Sequence, residues 1–307
     1  MLPWKQPSSS PGAVESRARR MTAGQRFYFV EEDGPVALAL APSLLKPDLA
    51  YDRLELGVYS RLRSYPGGRF LGLQKHIQRT DLSQRLVAIP HRLDHDELRR
   101  SIQKATDDYE SEATFVRFDL LSHPARAFGT ESTTLICITP FTPVPSEYLA
   151  EGVGVLFSDL VRDTPLAKRA AFVQERGGYS SGGQDAYERL LISPEQTILE
   201  CSSSNFFGLI GGRLRCTGEG ALLGVTQRFC ILLAQELGLT IDERGVNLAE
   251  LEQLEEAFLT SSSRGVVPIV RIQGRTIANG RPGPWTERLR RAYDDFAERE
   301  AKLAWPF

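Results

Sequence analysis

The sequence predicts a two-domain α+β protein. Three observations carry that prediction. A chain of 307 residues that is 41% hydrophobic holds more apolar material than one core uses, since single cores seldom grow past roughly 250 residues. Short β-branched and aromatic runs alternate with segments of helical periodicity in both halves. Between the halves lies PFTPVPSEYLAEG, residues 140–152, whose prolines give it the composition of a linker. The expected organisation is a disordered tail over 1–24, a small N-terminal α+β domain over 25–142, a linker over 143–152 and a larger C-terminal domain over 153–307.

In chain order, QRFYFV at 25–30 reads as a strand and EEDG as the turn that ends it. LELGVYSRLRSY is a second strand, and PGG at 66–68 turns the chain toward RFLGL. Leu73, Ile77, Leu82 and Leu86 recur at helical spacing, and DHDELRRSIQKA opens a second helix on an acidic cap. TFVRFDLL and TTLICITPF complete the first domain. In the second half, GVGVLFSDL, ERLLI, TILE, NFFGLI and RLRC are short strand signals. Thr226 is placed to cap a helix with an apolar face of Phe229, Leu232, Leu233 and Leu237, stopped by Gly238. After NLAELEQL, AFLT and VVPIVRI flank the turn SSSRG, and WTERLRRAYDDFAERE closes the fold as an amphipathic helix.

A formal net charge of −2 without a sustained basic run argues against nucleic acid or an anionic membrane as the main partner. No apolar run approaches the roughly 18 residues of a membrane helix. Four cysteines without CxxC spacing point to a reducing compartment, hence the cytoplasm, and four scattered histidines suggest no metal site. The opening segment is Arg- and Ser-bearing and poor in acids, as organelle transit peptides are, but its prolines fit a disordered extension better.

Chemistry is suggested first by a lysine. The chain has 37 Lys and Arg, of which only six are lysines, and Lys168 in TPLAKRAAF stands alone between Lys104 and Lys302. Arginine keeps its proton at any physiological pH, whereas a desolvated lysine amine loses it and becomes a nucleophile. Glu200 leaves an apolar strand in ILECSSSNFF, where a half-buried carboxylate needs an arginine or a protonated ring nitrogen as partner. Anion-binding backbone is offered by LLGVTQRF at a helix start and by the hydroxyl-rich TSSSRG, and Arg79 in KHIQR could add a bidentate grip. A Schiff-base lysine, a carboxylate for a pyridinium and a phosphate clamp are the parts of a pyridoxal phosphate site.

The order of Lys168, ECSSSN with Glu200 and Asn205, LLGVT at 222–226 and EAFLTSSSRGVVPIV at 256–270 resembles the class IV aminotransferases, fold type IV enzymes. That family includes D-amino-acid and branched-chain aminotransferases and aminodeoxychorismate lyase. The resemblance covers roughly residues 25–298. It implies that Lys168 forms the Schiff base and moves protons, and that Glu200 holds the pyridine nitrogen protonated. Arg79, Val225, Thr226 and Ser261 or Ser262 would bind the phosphate. Leu222 would cover one ring face with Ser203 near the other, and Tyr59 would stand by the cofactor and the substrate carboxylate. It further implies a homodimer that moves an amino group between an amino acid and a 2-oxo acid. A lyase of the aminodeoxychorismate type and a non-catalytic cofactor-binding scaffold are the alternatives.

The sequence also departs from the family pattern. KRAAFVQERGGYSSGG has glycines where relatives continue a helix, Ser60 stands where many have glutamate, and SHPAR at 122–126 replaces an arginine-glycine pair. His123 or Arg126 is therefore the candidate for the substrate carboxylate. GYSSG at 178–182 fits the G-x-S-x-G elbow of a hydrolase, but all four histidines precede it and no buried strand leads into it.

Overall fold

A computed structural model describes residues 24–38, 51–109, 111–176 and 183–305. The N-terminal tail and the GYSSG motif therefore lie outside the described residues. The first sheet is antiparallel and is built from β1 (Arg26–Glu31), β2 (Gly34–Ala37), β3 (Leu56–Tyr65), β4 (Arg69–Phe70), β5 (Thr114–Leu121) and β6 (Thr134–Pro140). Successive side chains of a strand point to opposite faces. Val58 and Leu62 of β3 and Val116, Phe118 and Leu120 of β5 accordingly enter one core, covered by helices α1 (Leu73–Leu86) and α2 (His95–Asp107). Tyr59, Arg61, Phe115 and Arg117, one residue out of step, line a cavity on the other face.

Helix α2 starts where the sequence predicts, with the Asp94 carboxylate accepting the Glu97 N–H at 2.9 Å. Helix α1 differs from expectation. Leu82 is only half-buried and Leu86 is 44% exposed, while His76, Thr80 and Ser83 are buried with Leu73 and Ile77. These polar groups tolerate burial because each is hydrogen-bonded, Thr80 to the His76 carbonyl at 3.0 Å and Ser83 to the Arg79 carbonyl at 2.8 Å. The helix is capped by Gly72 at φ 65, where an added Cβ would sit 3.0 Å from Phe229. Gly72→Ala should cost about 1–3 kcal/mol through left-handed strain and this contact, which urea unfolding would measure.

The second sheet is mixed. Its strands are β7 (Val153–Ser158), β8 (Glu188–Ile192), β9 (Thr197–Cys201), β10 (Asn205–Ile210), β11 (Arg213–Arg215), β12 (Thr240–Asp242), β13 (Val246–Asn247), β14 (Glu256–Ser261), β15 (Gly265–Ile272) and β16 (Arg275–Thr276). The order β12-β11-β10-β14-β15-β7-β8-β9-β13, with β16 beside β15, buries residues on both faces. Phe207 and Phe258 pair across β10 and β14 and stack with centroids 4.8 Å apart. Helix α5 (Val225–Glu236) and helix α6 (Pro284–Glu300) pack over one face.

Thr226 is not the cap of α5; that position belongs to Gly224, and Thr226 lies in the first turn. The buried stripe is Val225, Phe229, Cys230, Leu233 and Ala234, leaving Leu232 55% exposed and Leu237 at the edge. A sequence-distant carboxylate caps α6: Glu256 accepts the Trp285 and Thr286 N–H groups at 3.0 and 2.7 Å.

Two details modify the expected layout. The proline-rich segment contains helix α3 (Ser146–Glu151), with Val144, Tyr148 and Leu149 packed on the second sheet's core. After α6 the chain returns to the first sheet, where β17 (Lys302–Leu303) pairs with β4 and Ala304 is held by Gln103 and Arg99. Among the described residues no helix is long and apolar enough to cross a membrane.

Candidate functional site

Both sheets contribute to one cavity of about 390 Å³, lined by Lys168 from one side and Glu200 from another. Lys168 is held by the first sheet although it belongs to the chain's second half. Its carbonyl accepts the Tyr59 N–H at 3.0 Å, its own N–H goes to Ser83 Oγ at 3.0 Å, and Ala170 N–H reaches the Gly57 carbonyl at 2.9 Å. The segment thus adds itself to the free edge of β3. Beyond it the chain forms only the short helix α4 (Ala171–Glu175).

Burial, reinforced by the charges of Arg79, Arg162 and Arg176, pulls the Lys168 amine down to about 8 against the opposing influence of Tyr59. Tyr59 lies beneath it, the ammonium nitrogen 4.9 Å from its ring centroid, with Arg117 4.4 Å from the same centroid. Burial raises the Tyr59 phenol, but Lys168, Arg176, Arg117 and Arg162 together outweigh it and bring the group to about 7.

Glu200 is 2% exposed and has the arginine partner that sequence left as one option. Arg162 Nε lies 2.6 Å from Oε1, although its N–H points off that contact, and the Leu222 N–H approaches the same oxygen at 3.4 Å. Oε2 takes part in neither contact. Burial raises the Glu200 pKa, while Arg162 and Lys168 work against the rise.

An anion cradle closes another side of the cavity. Arg79, from α1, donates to Ser60 Oγ at 2.7 Å, and Ser60 meets His76 Nδ1 at 2.8 Å. His76 Nε2 reaches across to Ser262 Oγ at 3.2 Å, and Ser262 meets Thr226 Oγ1 at 2.9 Å. Arginine, imidazole and hydroxyls from both halves of the chain thereby converge beside the N-terminus of α5, whose first N–H groups have no intrahelical partner. Burial lowers the Arg79 guanidinium to about 10 and the His76 imidazole well below its ordinary value. Neutral His76 donates from one ring nitrogen and accepts at the other, so it links the two hydroxyls without adding charge. Of the two serines proposed for the phosphate, Ser262 joins this chain, whereas Ser261 accepts from Arg264 Nε at 3.1 Å.

The floor is set by hydrogen bonds that fix loops. Asn205 Nδ2 donates to the Leu222 carbonyl at 2.7 Å, and Gly224 is needed because a Cβ there would lie 2.0 Å from Asn205 Oδ1. Ser203 Oγ and N–H bind the buried Glu188 carboxylate at 2.8 and 2.9 Å, and Arg264 pairs with the same carboxylate.

The structure thus brings Lys168, Glu200, Tyr59, Arg79, Ser203, Asn205, Leu222, Val225, Thr226, Ser261 and Ser262 to one cavity. His123 and Arg126 are placed elsewhere: His123 pairs with Glu55, and Arg126 with Glu131, all four exposed and none lining the cavity. The loop that carries them turns to solvent, and each side chain meets a neighbouring carboxylate there. Sequence reasoning missed His76 as well as Arg61, Arg117, Arg162, Arg176 and Arg264. His76 was findable, three residues before Arg79 and therefore on the same helical face. The arginines carry no local signal.

The donor set fits pyridoxal phosphate on its own geometry. Among the described residues Arg79 Nε and Thr260 Oγ1 are buried in the cavity wall without partners. A phosphate and a ring substituent would supply what those atoms lack, and Glu200 offers the carboxylate that a protonated ring nitrogen requires.

Residues 57–272 match the family model of the class IV aminotransferases. The chain is 27% identical over 270 residues to a branched-chain-amino-acid aminotransferase of Pseudomonas aeruginosa, covering 81% of this chain and 87% of that protein. It is 25% identical over 245 residues to a D-alanine aminotransferase of Bacillus licheniformis, covering 77% and 86%. A crystal structure of a putative branched-chain aminotransferase from Thermotoga maritima superposes with a TM-score of 0.69 at 25% identity, covering 89% of this chain and 95% of that one. The branched-chain aminotransferase from Thermobaculum terrenum, in its pyridoxal phosphate form, gives 0.73 at 22% identity, covering 90% and 94%. The chain belongs to the class IV aminotransferases. It has their fold type IV architecture, and its activity is pyridoxal-phosphate-dependent transamination.

Proposed function

We propose that this cavity is where the protein moves an amino group between an amino acid and a 2-oxo acid, with Lys168 and Glu200 as the catalytic pair. The observation that carries the assignment is their joint presence on one cavity wall, with the Arg79–Ser262–Thr226 cradle beside them. Pyridoxal phosphate, when bound, supplies an electron-accepting ring that stabilises charge developing at the substrate Cα. Lys168 would hold the cofactor and move protons at Nζ. Glu200 would face the ring nitrogen and favour its protonated form, and Arg162 works against the rise that burial imposes on Glu200. Arg79, Ser262, Thr226 and the Val225 N–H would orient the phosphate, while Leu222, Ser203 and Tyr59 would confine the ring, on loops fixed by Asn205.

A homodimer in the cytoplasm completes the reading. Val161, 71% exposed, and Leu166, 40% exposed, offer apolar surface on the segment leading to Lys168 that a second copy would cover. Sedimentation velocity would test this.

The deciding experiment is an absorbance spectrum of the purified protein, followed by titration with D- and L-amino acids. Bleaching of the cofactor band by a donor, and its return with a 2-oxo acid, supports transamination; pyruvate release without any acceptor would instead indicate a lyase. The rate of cofactor attachment to the apoprotein should rise about tenfold per pH unit below 8 and level off above it, because only the neutral Lys168 amine attacks. Tyr59→Phe removes the group that raises Lys168, so the profile should move to lower pH; stopped-flow absorbance would check both curves.

A further inference from the structure

Three buried residues stand behind the anion cradle rather than in the cavity wall: Ser60, His76 and Tyr293, exposed by 0%, 1% and 3%. None lines the cavity, yet each touches a residue that does. Their effect follows from counting protons. A hydroxyl owns one proton, so Ser262 and Thr226 can each donate to an anion only if that proton is not spent on another partner.

Arginine only donates. Arg79 Nη2 gives a hydrogen bond to Ser60 Oγ at 2.7 Å and lies 3.4 Å from His76 Nδ1. A proton on Nδ1 would point at the protons of the guanidinium, so Nδ1 is the bare nitrogen and accepts from the Ser60 hydroxyl at 2.8 Å. The proton of the neutral ring then sits on Nε2 and is donated to Ser262 Oγ at 3.2 Å. Ser60 has to be a hydroxyl for this: a glutamate at that position accepts only and would draw the ring proton to Nδ1. On the other side, Thr226 Oγ1 lies 3.4 Å from the Tyr293 hydroxyl. Behind Tyr293, Tyr65 is hydrogen-bonded to it and to Arg63, a second residue that only donates. Donation thus runs inward from a guanidinium at each end and meets at Ser262 and Thr226, 2.9 Å apart.

We infer that His76 and Tyr293 are positioning residues that fix the direction of these two hydrogen-bonded strings, so that the protons of Ser262 and Thr226 both face the cofactor phosphate. The inference rests on the cofactor reading of this site. Each hydroxyl accepts from behind, which leaves its proton for the anion in front and strengthens that donation, since hydrogen bonds in a string polarise one another. With His76 in the other tautomer, a bare Nε2 would take the Ser262 proton, and Ser262 would present a lone pair to the anion.

The test uses pyridoxamine 5′-phosphate, which carries the phosphate but no aldehyde to attach to Lys168, with pyridoxamine as the unphosphorylated control; fluorescence titration of the full-length protein reads both. His76→Leu and Tyr293→Phe should each weaken the phosphorylated probe by about tenfold and leave pyridoxamine unchanged. His76→Gln should recover most of the loss, because its amide N–H can replace the ring donor. In Ser262→Ala, adding His76→Leu should have no further effect, and in Thr226→Val neither should Tyr293→Phe, since each acts only through the hydroxyl it meets. The second cycle stands by itself if His76→Leu does not fold. Nitrogen NMR of the wild-type holoenzyme should show His76 protonated at Nε2 alone. A His76 proton on Nδ1, losses that add in either cycle, or an equal loss for pyridoxamine overturns the inference. None of these readings depends on turnover: if no amino acid bleaches the cofactor while the couplings stand, it is the transaminase reading that fails.

Discussion

Lys168→Ala is expected to leave a folded protein with no covalent cofactor and turnover reduced by on the order of 10⁴-fold, the upper range for a positioned acid–base group. The physical basis is the amine's environment rather than its contacts. Burial among Arg79, Arg162 and Arg176 keeps Nζ largely neutral above pH 8, and no other lysine lines the cavity. Borohydride treatment followed by peptide mass analysis should find the cofactor on Lys168 in the wild type and nowhere in the variant. Folding should survive, because Lys168 is held through backbone groups to Tyr59 and Ser83 that alanine retains. Activity within tenfold of wild type would remove Lys168 from the mechanism.

The second large effect lies at Glu200 and Arg162. Their side chains are 2% and 7% exposed, so removing either partner strands a buried charge, at a cost of about 3–5 kcal/mol. Arg162→Leu deletes the principal influence that lowers Glu200, so burial drives that carboxyl further toward its neutral form. Glu200→Gln should lower the denaturation midpoint of the apoprotein and slow Cα deprotonation by roughly 10²–10⁴-fold. The double variant Arg162→Leu with Glu200→Gln should regain most of the stability and none of the rate, since a neutral buried pair no longer needs a partner. Denaturant midpoints and single-turnover rates on the four proteins separate the two roles. Unchanged midpoints in both single variants would show that the pair does not hold this region together.

Much of this was legible in the chain. Lys168 announced itself because a protein that uses arginine for charge kept a lysine among small apolar neighbours. Most strands and α2 were found from alternation and an acidic cap, since those signals are local. Expectation and structure diverge where a residue's fate depends on a distant partner. His76, Thr80 and Ser83 are buried because hydroxyls and carbonyls meet them, which no hydrophobic periodicity encodes. Leu232 is exposed because the face of α5 is chosen by the sheet beneath it.

The sequence by itself determined the fold class, the family and the ordered motifs that meet in the cavity, because those depend on residue type and local spacing. Only the tertiary structure decided which arginine holds Glu200, that His123 and Arg126 stay outside the cavity of their own chain, and that Arg61 faces Arg117. Charge pairing acts over a few ångströms in space, and strand register brings together groups that lie tens of residues apart along the chain.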